Sequence, residues 1–169
     1  MKLDQSYFRK DVLEVAPDLI GKVLVRVFDD GTTEKWQITE TEAYRGEEDE
    51  ACHARKGRTP RTEVMYAEGG AVYVYLIYGM YWLLNIVTGT KDDPQAVLIR
   101  GLKNIDGPGR VGKALQLDKS FYGENIITST RMWIENGSEK LQHSTSPRIG
   151  IDYAPDEWRL KPWRYTIAD

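Results

Sequence analysis

The chain has one cysteine, Cys52, and two histidines, His53 and His143. A lone thiol excludes an intramolecular disulfide framework and suits a reducing compartment. With so few soft ligands, an all-Cys/His structural zinc site within one chain is not available. Basic charge is also in short supply: 23 Lys and Arg stand against 26 Asp and Glu, a net charge of −3. Taken whole, that balance argues against a nucleic-acid binder, for which a basic domain is the usual expectation. The first fifteen residues are charged throughout and contain no apolar stretch, so no secretory signal is read there. The longest apolar run, Ala71 to Val87, approaches membrane-spanning length but holds four tyrosines, Gly79 and Asn85 and lacks a basic flank. It reads as buried sheet. Internal repeats are absent.

What is present reads as one globular domain over residues 1–169, with 41% hydrophobic, 29% charged and 11% aromatic residues. Apolar side chains at three- and four-residue spacing (Phe8, Val12, Leu13, Leu19) predict a helix over residues 7–19, disturbed by Pro17. A hairpin follows, with valine-rich residues from Lys22 to Phe28, a turn signal at Asp30-Gly31 and a return strand from Lys35 to Tyr44. On that strand Trp36 and Ile38 share the face expected to meet the core, and period two carries the same face on to Glu40, Glu42 and Tyr44. Carboxylates that extend an apolar stripe are either emerging at a sheet end or lining a pocket. The pattern leaves both open, and it does not choose between Glu40 and Glu42.

After an acidic turn at Glu47 to Glu50, residues 51–62 contain no acid and place Arg55, Lys56, Arg58 and Arg61 beside His53. Gly57 and Pro60 make this a loop, either solvated surface or a phosphate-contacting arm. Residues 72–87 divide into two strands around Gly79-Met80, because glycine first in a two-residue connection suits a type II′ hairpin. Tyr73, Tyr75 and Ile77 then share one face and Val72, Val74 and Leu76 the other, with Tyr78 at the tip. Strand aromatics commonly pack in a core; one at a tip is harder to bury and makes a better wedge. A further strand, Ala96 to Leu102, carries Arg100 in apolar surroundings, as an edge residue or as the partner of an acid or phosphate. Residues 107–117 read as a loop entering a helix whose free N–H groups, with Arg110, Lys113 and Lys119 nearby, suit a phosphate. Residues 120–169, with Trp133, Trp158 and Trp163, read as core packing without chemistry.

Several of these stretches, in this order, resemble the alkyladenine (3-methyladenine) DNA glycosylases. They are Glu40-Thr41-Glu42-Ala43-Tyr44, Asp49 to Arg55, Thr59-Pro60-Arg61, Tyr73 to Tyr81, Asn85, Val97-Leu98-Ile99-Arg100 and residues 107–121. Arg148-Ile149-Gly150-Ile151 and Glu157 to Pro162 continue the match, which covers roughly residues 19–165. The resemblance implies a mixed α/β fold: a curved, largely antiparallel sheet with flanking helices and a protruding β-hairpin. It implies a monofunctional glycosylase of base excision repair that flips damaged purines out of duplex DNA and leaves an abasic site. The substrates so implied are 3-methyladenine, 7-methylguanine, hypoxanthine and ethenoadenine, with no metal and no cofactor. By the same match Glu42 is the general base for the attacking water and Arg100 orients that water or the carboxylate. Tyr44, His53 and Tyr75 would sandwich the flipped base, Asn85 would clash with the exocyclic amine of guanine, and Tyr78 would fill the vacated stack. Arg58, Arg61, Arg110 and Lys119 match positions that contact the DNA backbone. The connection from Leu102 to Gly107 is compressed relative to the family. The expected partner is damaged double-stranded DNA, the expected state a monomer off the membrane, and the expected compartment the cytoplasm, at the nucleoid if the source is bacterial.

Other readings remain at this stage. A non-catalytic damaged-DNA-binding module would use the same tyrosines as stacking platforms. Glu40 and Glu42 could be the paired carboxylates of a sugar glycosidase, which stand about 5–5.5 Å apart in retaining enzymes. Residues 102–115 look superficially like a helix-hairpin-helix element. Charge, too, reads differently at shorter range: residues 100–119 carry five Lys and Arg against Asp106 and Asp118.

Overall fold

The computed structural model describes residues 1–168. The helix expected over residues 7–19 is two short ones, α1 (Gln5–Phe8) and α2 (Val12–Asp18). Each begins at an aspartate cap: Asp4 accepts from the Tyr7 N–H and Asp11 from the Leu13 N–H. The second cap restarts the chain on a new axis. Pro17 falls in the last turn of α2, and Val12, Val15 and Ala16 are buried.

Strands β1 (Val23–Val27) and β2 (Thr33–Arg45) form the first hairpin, with Val23 opposite Gln37 and Val27 opposite Thr33. β3 (Val72–Ile77) and β4 (Tyr81–Val87) form the second, and β5 (Gln95–Leu102) joins β4 to β2. β6 (Ile105–Asp106) folds back on β5 and is followed by α3 (Pro108–Ala114). β7 (Met132–Glu135) pairs with β1. The chain ends with β8 (His143–Ser146), α4 (Asp156–Arg159) and β9 (Arg164–Ile167), where β9 pairs with β2 and β8. The backbone of this curled sheet runs β3-β4-β5-β2-β1-β7, and every pairing is antiparallel. The fold is the mixed α/β arrangement expected, and the outer part of the β3–β4 hairpin runs past Asn85–Val87, where β4 pairs with β5. No helix among the described residues is long and apolar enough to cross a membrane.

The residues before α3 are the β5–β6 turn, so no helix-hairpin-helix element exists there. α3 lies tightly on β4: a Cβ at Gly112 would stand 1.8 Å from the Trp82 carbonyl oxygen. Only glycine permits that approach.

Two departures from the expected alternation matter for the site. The register of β2 on β5 slips between Ile38 and Thr41, a bulge accommodated opposite Gly101, whose Cβ would meet Glu40 Cβ at 3.1 Å. The shift at Glu40/Gly101 is undone by Thr41/Ile99, so each strand carries one irregular residue and the net register is unchanged, while along β2 the later side chains exchange faces. Ile38 and Ala43 therefore both belong to the main core, and the Thr41 hydroxyl donates to the Ala16 carbonyl of α2 at 2.8 Å. Glu42 and Tyr44 consequently leave the Trp36/Ile38 face on which simple alternation had put them. Tyr44 packs on a second, smaller apolar cluster that includes Cys52, Met65, Tyr66 and Tyr73, and Glu42 accepts from its hydroxyl.

The hairpin turn also starts one residue earlier than expected. Tyr78 and Gly79 are its central residues, with φ of +51° and +65°, and the Met80 N–H closes on the Ile77 carbonyl at 3.1 Å. Positive φ at both central positions is the type I′ pattern, not II′. Tyr78 is held at the tip in a backbone region unusual for a bulky side chain, and it is 87% exposed.

Candidate active site

The second face of the sheet opens into a cleft of about 480 Å³ whose walls include Tyr44, His53, Tyr75, Asn85 and Arg100, with Tyr78 at its edge. β2, β4 and β5 supply Tyr44, Asn85 and Arg100 from adjacent strands, β3 supplies Tyr75, and a single 3₁₀ turn, His53–Lys56, supplies the imidazole. Six of the residues singled out in the sequence therefore line one cavity.

Glu42 lies behind this wall, fully buried. Its Oε1 accepts from the Tyr44 hydroxyl at 2.8 Å and its Oε2 from the Ile149 N–H at 2.7 Å. Arg100 Nε stands 3.7 Å from Oε2 and donates to Glu40 Oε2 at 3.2 Å. Burial raises the pKa of Glu42 above the ordinary carboxylate value, against the opposing pull of Arg100, the Ile149 N–H and Tyr44. Burial, reinforced by the charge of Glu42, also pushes Tyr44 far up, so its phenol stays protonated and remains a donor. Glu40 differs from Glu42: it is partly exposed and takes both Arg100 and Arg164 as ion partners. The bulge thus gives two carboxylates on one strand different settings, one dry and held by neutral donors, the other spent on two guanidinium groups.

The aromatic wall is a connected set. His53 and Tyr75 pack edge to face with centroids 4.6 Å apart, and His53 Nδ1 is hydrogen-bonded to the Tyr73 hydroxyl at 2.8 Å. Burial, together with Arg61, Arg55 and Lys56, drives the His53 pKa down to about 4, so the ring is neutral at physiological pH. Asn85 is buried and donates from Nδ2 to the Tyr73 carbonyl at 3.2 Å, which fixes its amide against β3.

The basic residues occupy three different settings. Arg61 covers the Tyr75 ring at 5.3 Å and shares a groove with Lys119, Trp82 and Tyr122. Arg110 is exposed on α3. Arg58 is exposed too, but its guanidinium is held by Glu63 at 2.8 Å and Asp92 at 3.0 Å. No group of three or more His, Cys, Asp or Glu side chains arranged to hold a metal ion occurs among the described residues.

Sequence reasoning passed over the segment that closes the site. Residues 120–169 read as packing alone, yet Arg148 makes a wholly buried ion pair with Asp49, and its neighbour Ile149 donates to Glu42. Asp49, read as part of an acidic turn, is fully buried. The two partners are 99 residues apart, so no local period could join them. The one signal available was that Arg148 opens a stretch shared with the resembled family.

A curled antiparallel sheet that keeps a carboxylate dry behind an aromatic cleft, with an exposed aromatic tip at its rim, defines the class: a mixed α/β domain whose cleft is walled by aromatic rings and backed by a buried carboxylate. Comparison with known proteins makes the class specific. The model of the methylpurine-DNA glycosylase family matches residues 6–107 and 103–169, two segments that meet at the β5–β6 turn. The chain is 42% identical over 92% of its length to a Psychrobacter cryohalolentis protein named "Putative 3-methyladenine DNA glycosylase", covering 88% of that protein. Proteins with the same name from Natranaerobius thermophilus and Rickettsia felis are 40% and 42% identical, over 100% and 99% of this chain and 96% and 93% of theirs. The chain belongs to the methylpurine-DNA glycosylase family, enzymes of DNA repair that hydrolyse N-glycosyl bonds.

Proposed function

We propose that the protein extrudes a damaged purine from duplex DNA into the aromatic cleft and hydrolyses its N-glycosidic bond with a water activated by Glu42. Glu42 carries this reading. It is a dry carboxylate of raised proton affinity, with an O–H and an N–H fixed on its two oxygens, and the residues that touch it, Tyr44, Arg100 and Ile149, line the aromatic cavity. Water attacks C1′ and gives a proton to Glu42; the C1′–N bond breaks and its electron pair leaves with the base, so an abasic deoxyribose remains. Arg100, poised between Glu40 and Glu42, orients the carboxylate.

Recognition follows from the same walls. Tyr44, His53 and Tyr75 offer ring faces and edges to the extruded base, and stacking of this kind contributes about 1–3 kcal/mol per base. A purine alkylated at N3 or N7 is cationic. It is drawn to tyrosine faces and meets no repulsion from His53, which is neutral. The substrates we assign are 3-methyladenine and 7-methylguanine, which leave readily because of that charge, and the neutral lesions hypoxanthine and ethenoadenine, whose departure also requires a proton. To Asn85, pinned to the Tyr73 carbonyl on the cleft wall, we assign the crowding of the exocyclic amine of guanine. Tyr78 enters the vacated stack. Arg61, Arg110 and Lys119 contact phosphates, and Arg58 does so to the extent that Glu63 and Asp92 release it. The chain acts as a monomer on DNA.

Base release from duplexes carrying hypoxanthine, ethenoadenine or 7-methylguanine tests this directly. Glu42→Gln should retain binding to lesion DNA and lose release by at least the roughly 10²–10⁴-fold a positioned base supplies. Undiminished release would remove Glu42 from the chemistry, whereas lesion binding with no release by the wild type would favour the damaged-DNA-binding module.

A further inference from the structure

The Arg148–Asp49 pair takes no part in the chemistry described so far. Both side chains are completely buried, with guanidinium–carboxylate contacts of 2.6 and 3.0 Å. A buried ion pair is weak evidence for stabilisation in itself, since desolvation offsets most of the attraction. What this pair touches is more informative. Arg148 Nη1 also donates to the Ala43 carbonyl at 3.0 Å and Nη2 to the Trp158 carbonyl at 3.2 Å. Its guanidinium lies against the Tyr44 ring at 4.9 Å and the Trp163 ring at 5.0 Å. Asp49 in turn accepts from the backbone N–H groups of Arg45 and Ala51, each at 3.0 Å. One planar fork therefore ties the end of β2, the turn after it and the segment leading into α4.

The two groups held by this fork are the two that donate to Glu42. Tyr44 lies against the guanidinium, and Ile149 is the next residue in the chain. The geometry points to Arg148, locked by Asp49, as a positioning residue that keeps the Tyr44 hydroxyl and the Ile149 N–H on the Glu42 carboxylate and so sets its ionisation. This inference rests on the reading of Glu42 as the general base.

The groups facing Glu42 are few. Glu40 and Tyr44 come from its own strand, Arg100 from β5, Tyr75 from β3, and Arg148 with the Ile149 N–H from the segment before α4; Arg164 of β9 reaches it through Glu40. Of these, Tyr44 and Ile149 hydrogen-bond its oxygens. A donor to the charged form lowers a carboxylate's affinity for a proton. Losing the Ile149 N–H therefore raises that affinity further, and the base is lost at a higher pH as the solution is acidified.

The test is single-turnover base release by the full-length protein at saturating enzyme, measured across pH on a hypoxanthine duplex. The Ile149 side chain is 48% exposed, so Ile149→Pro deletes the N–H with little loss of buried apolar surface, while also restraining the backbone of Arg148. It should move the acidic limb upward by about one pH unit, the scale of a charge-assisted hydrogen bond. Ile149→Ala keeps the N–H and should keep the wild-type limb. Arg148→Lys retains the charge but not the fork, and should shift the limb in the same direction as the proline variant. A fold defect alone would lower the melting temperature without moving the limb of the molecules that remain folded. If Arg148→Lys fails to fold, the proline–alanine pair decides. Folded Arg148→Lys or folded Ile149→Pro with a wild-type limb, or Ile149→Ala shifted as far as the proline variant, overturns the positioning role while leaving Glu42 intact. Undiminished release by Glu42→Gln overturns both.

Discussion

His53 shows how one residue can serve two ends. Its ring is buried among Tyr73, Tyr75 and three cationic side chains, which together pull its pKa from 6.5 to about 4. The neutral form suits a cationic guest. It also makes the folded state sensitive to acid, in a sense that follows from linkage. The unfolded chain takes up this proton near pH 6.5 and the folded chain only near 4, so the stabilisation is complete above 6.5 and is lost as pH falls through that window. A shift of this size corresponds to up to roughly 3 kcal/mol. His53→Gln, which cannot titrate, should therefore lose less stability than the wild type between pH 6.5 and 4 in urea unfolding. Parallel pH dependences in the two proteins would mean that the imidazole is not held neutral. This residue was visible in the sequence as a lone histidine beside a basic loop; that the same basic residues help to suppress its charge became visible only once Arg55, Lys56 and Arg61 were placed around it.

At the scale of elements, the β3–β4 hairpin was the most legible part of the chain. Strict alternation over residues 72–77 put Tyr73 and Tyr75 on one face, and they meet there with His53. The tip was misread by one residue because glycine can serve at either central position of a tight turn, and only the closing bond from Met80 to Ile77 decides which. The consequence is that Tyr78 itself carries a positive φ. A left-handed conformation costs an L-residue about 1–2 kcal/mol, least for asparagine, which tolerates it. Tyr78→Asn is therefore expected to raise stability by up to about 1 kcal/mol in thermal unfolding, while abolishing the 2-aminopurine fluorescence rise that reports extrusion beside a lesion. A destabilised variant would show that the ring, despite its exposure, packs against the hairpin. The β2 bulge was not legible at all. An irregularity matched on both strands changes neither composition nor the local pattern, and its effect, turning Glu42 and Tyr44 away from the main core, appears only in the pairing with β5. The Arg148–Asp49 contact was hidden for a related reason: the sheet brings its ends together, and nothing along the chain does.

Over the whole molecule, a net charge of −3 remains an odd quantity for a protein that works on a polyanion. The structure shows why the sum misleads. Many acids are already engaged at home: Asp49 with Arg148, Asp11 with Arg45, Glu124 with Arg131, Glu63 and Asp92 with Arg58. Among the basic residues assigned to the DNA backbone, Arg58 has its charge matched in advance, whereas Arg61 and Lys119 share an open groove and Arg110 stands exposed on α3. Each phosphate neutralised by a side chain steepens the dependence of log affinity on log salt by about 0.9 on duplex DNA. Arg61→Gln, Arg110→Gln and Lys119→Gln should each flatten the slope by about that amount, and should weaken lesion and undamaged duplexes alike, so that the ratio between them is kept. Arg58→Gln should flatten it less, because binding a phosphate there first requires Glu63 and Asp92 to let go, and releasing two carboxylates offsets the gain. Fluorescence anisotropy over a salt series separates these cases. Equal slopes for all four variants would show that the Arg58 ion pairs open freely on DNA, and that the local charge balance, like the global one, is no guide to which cations the backbone meets.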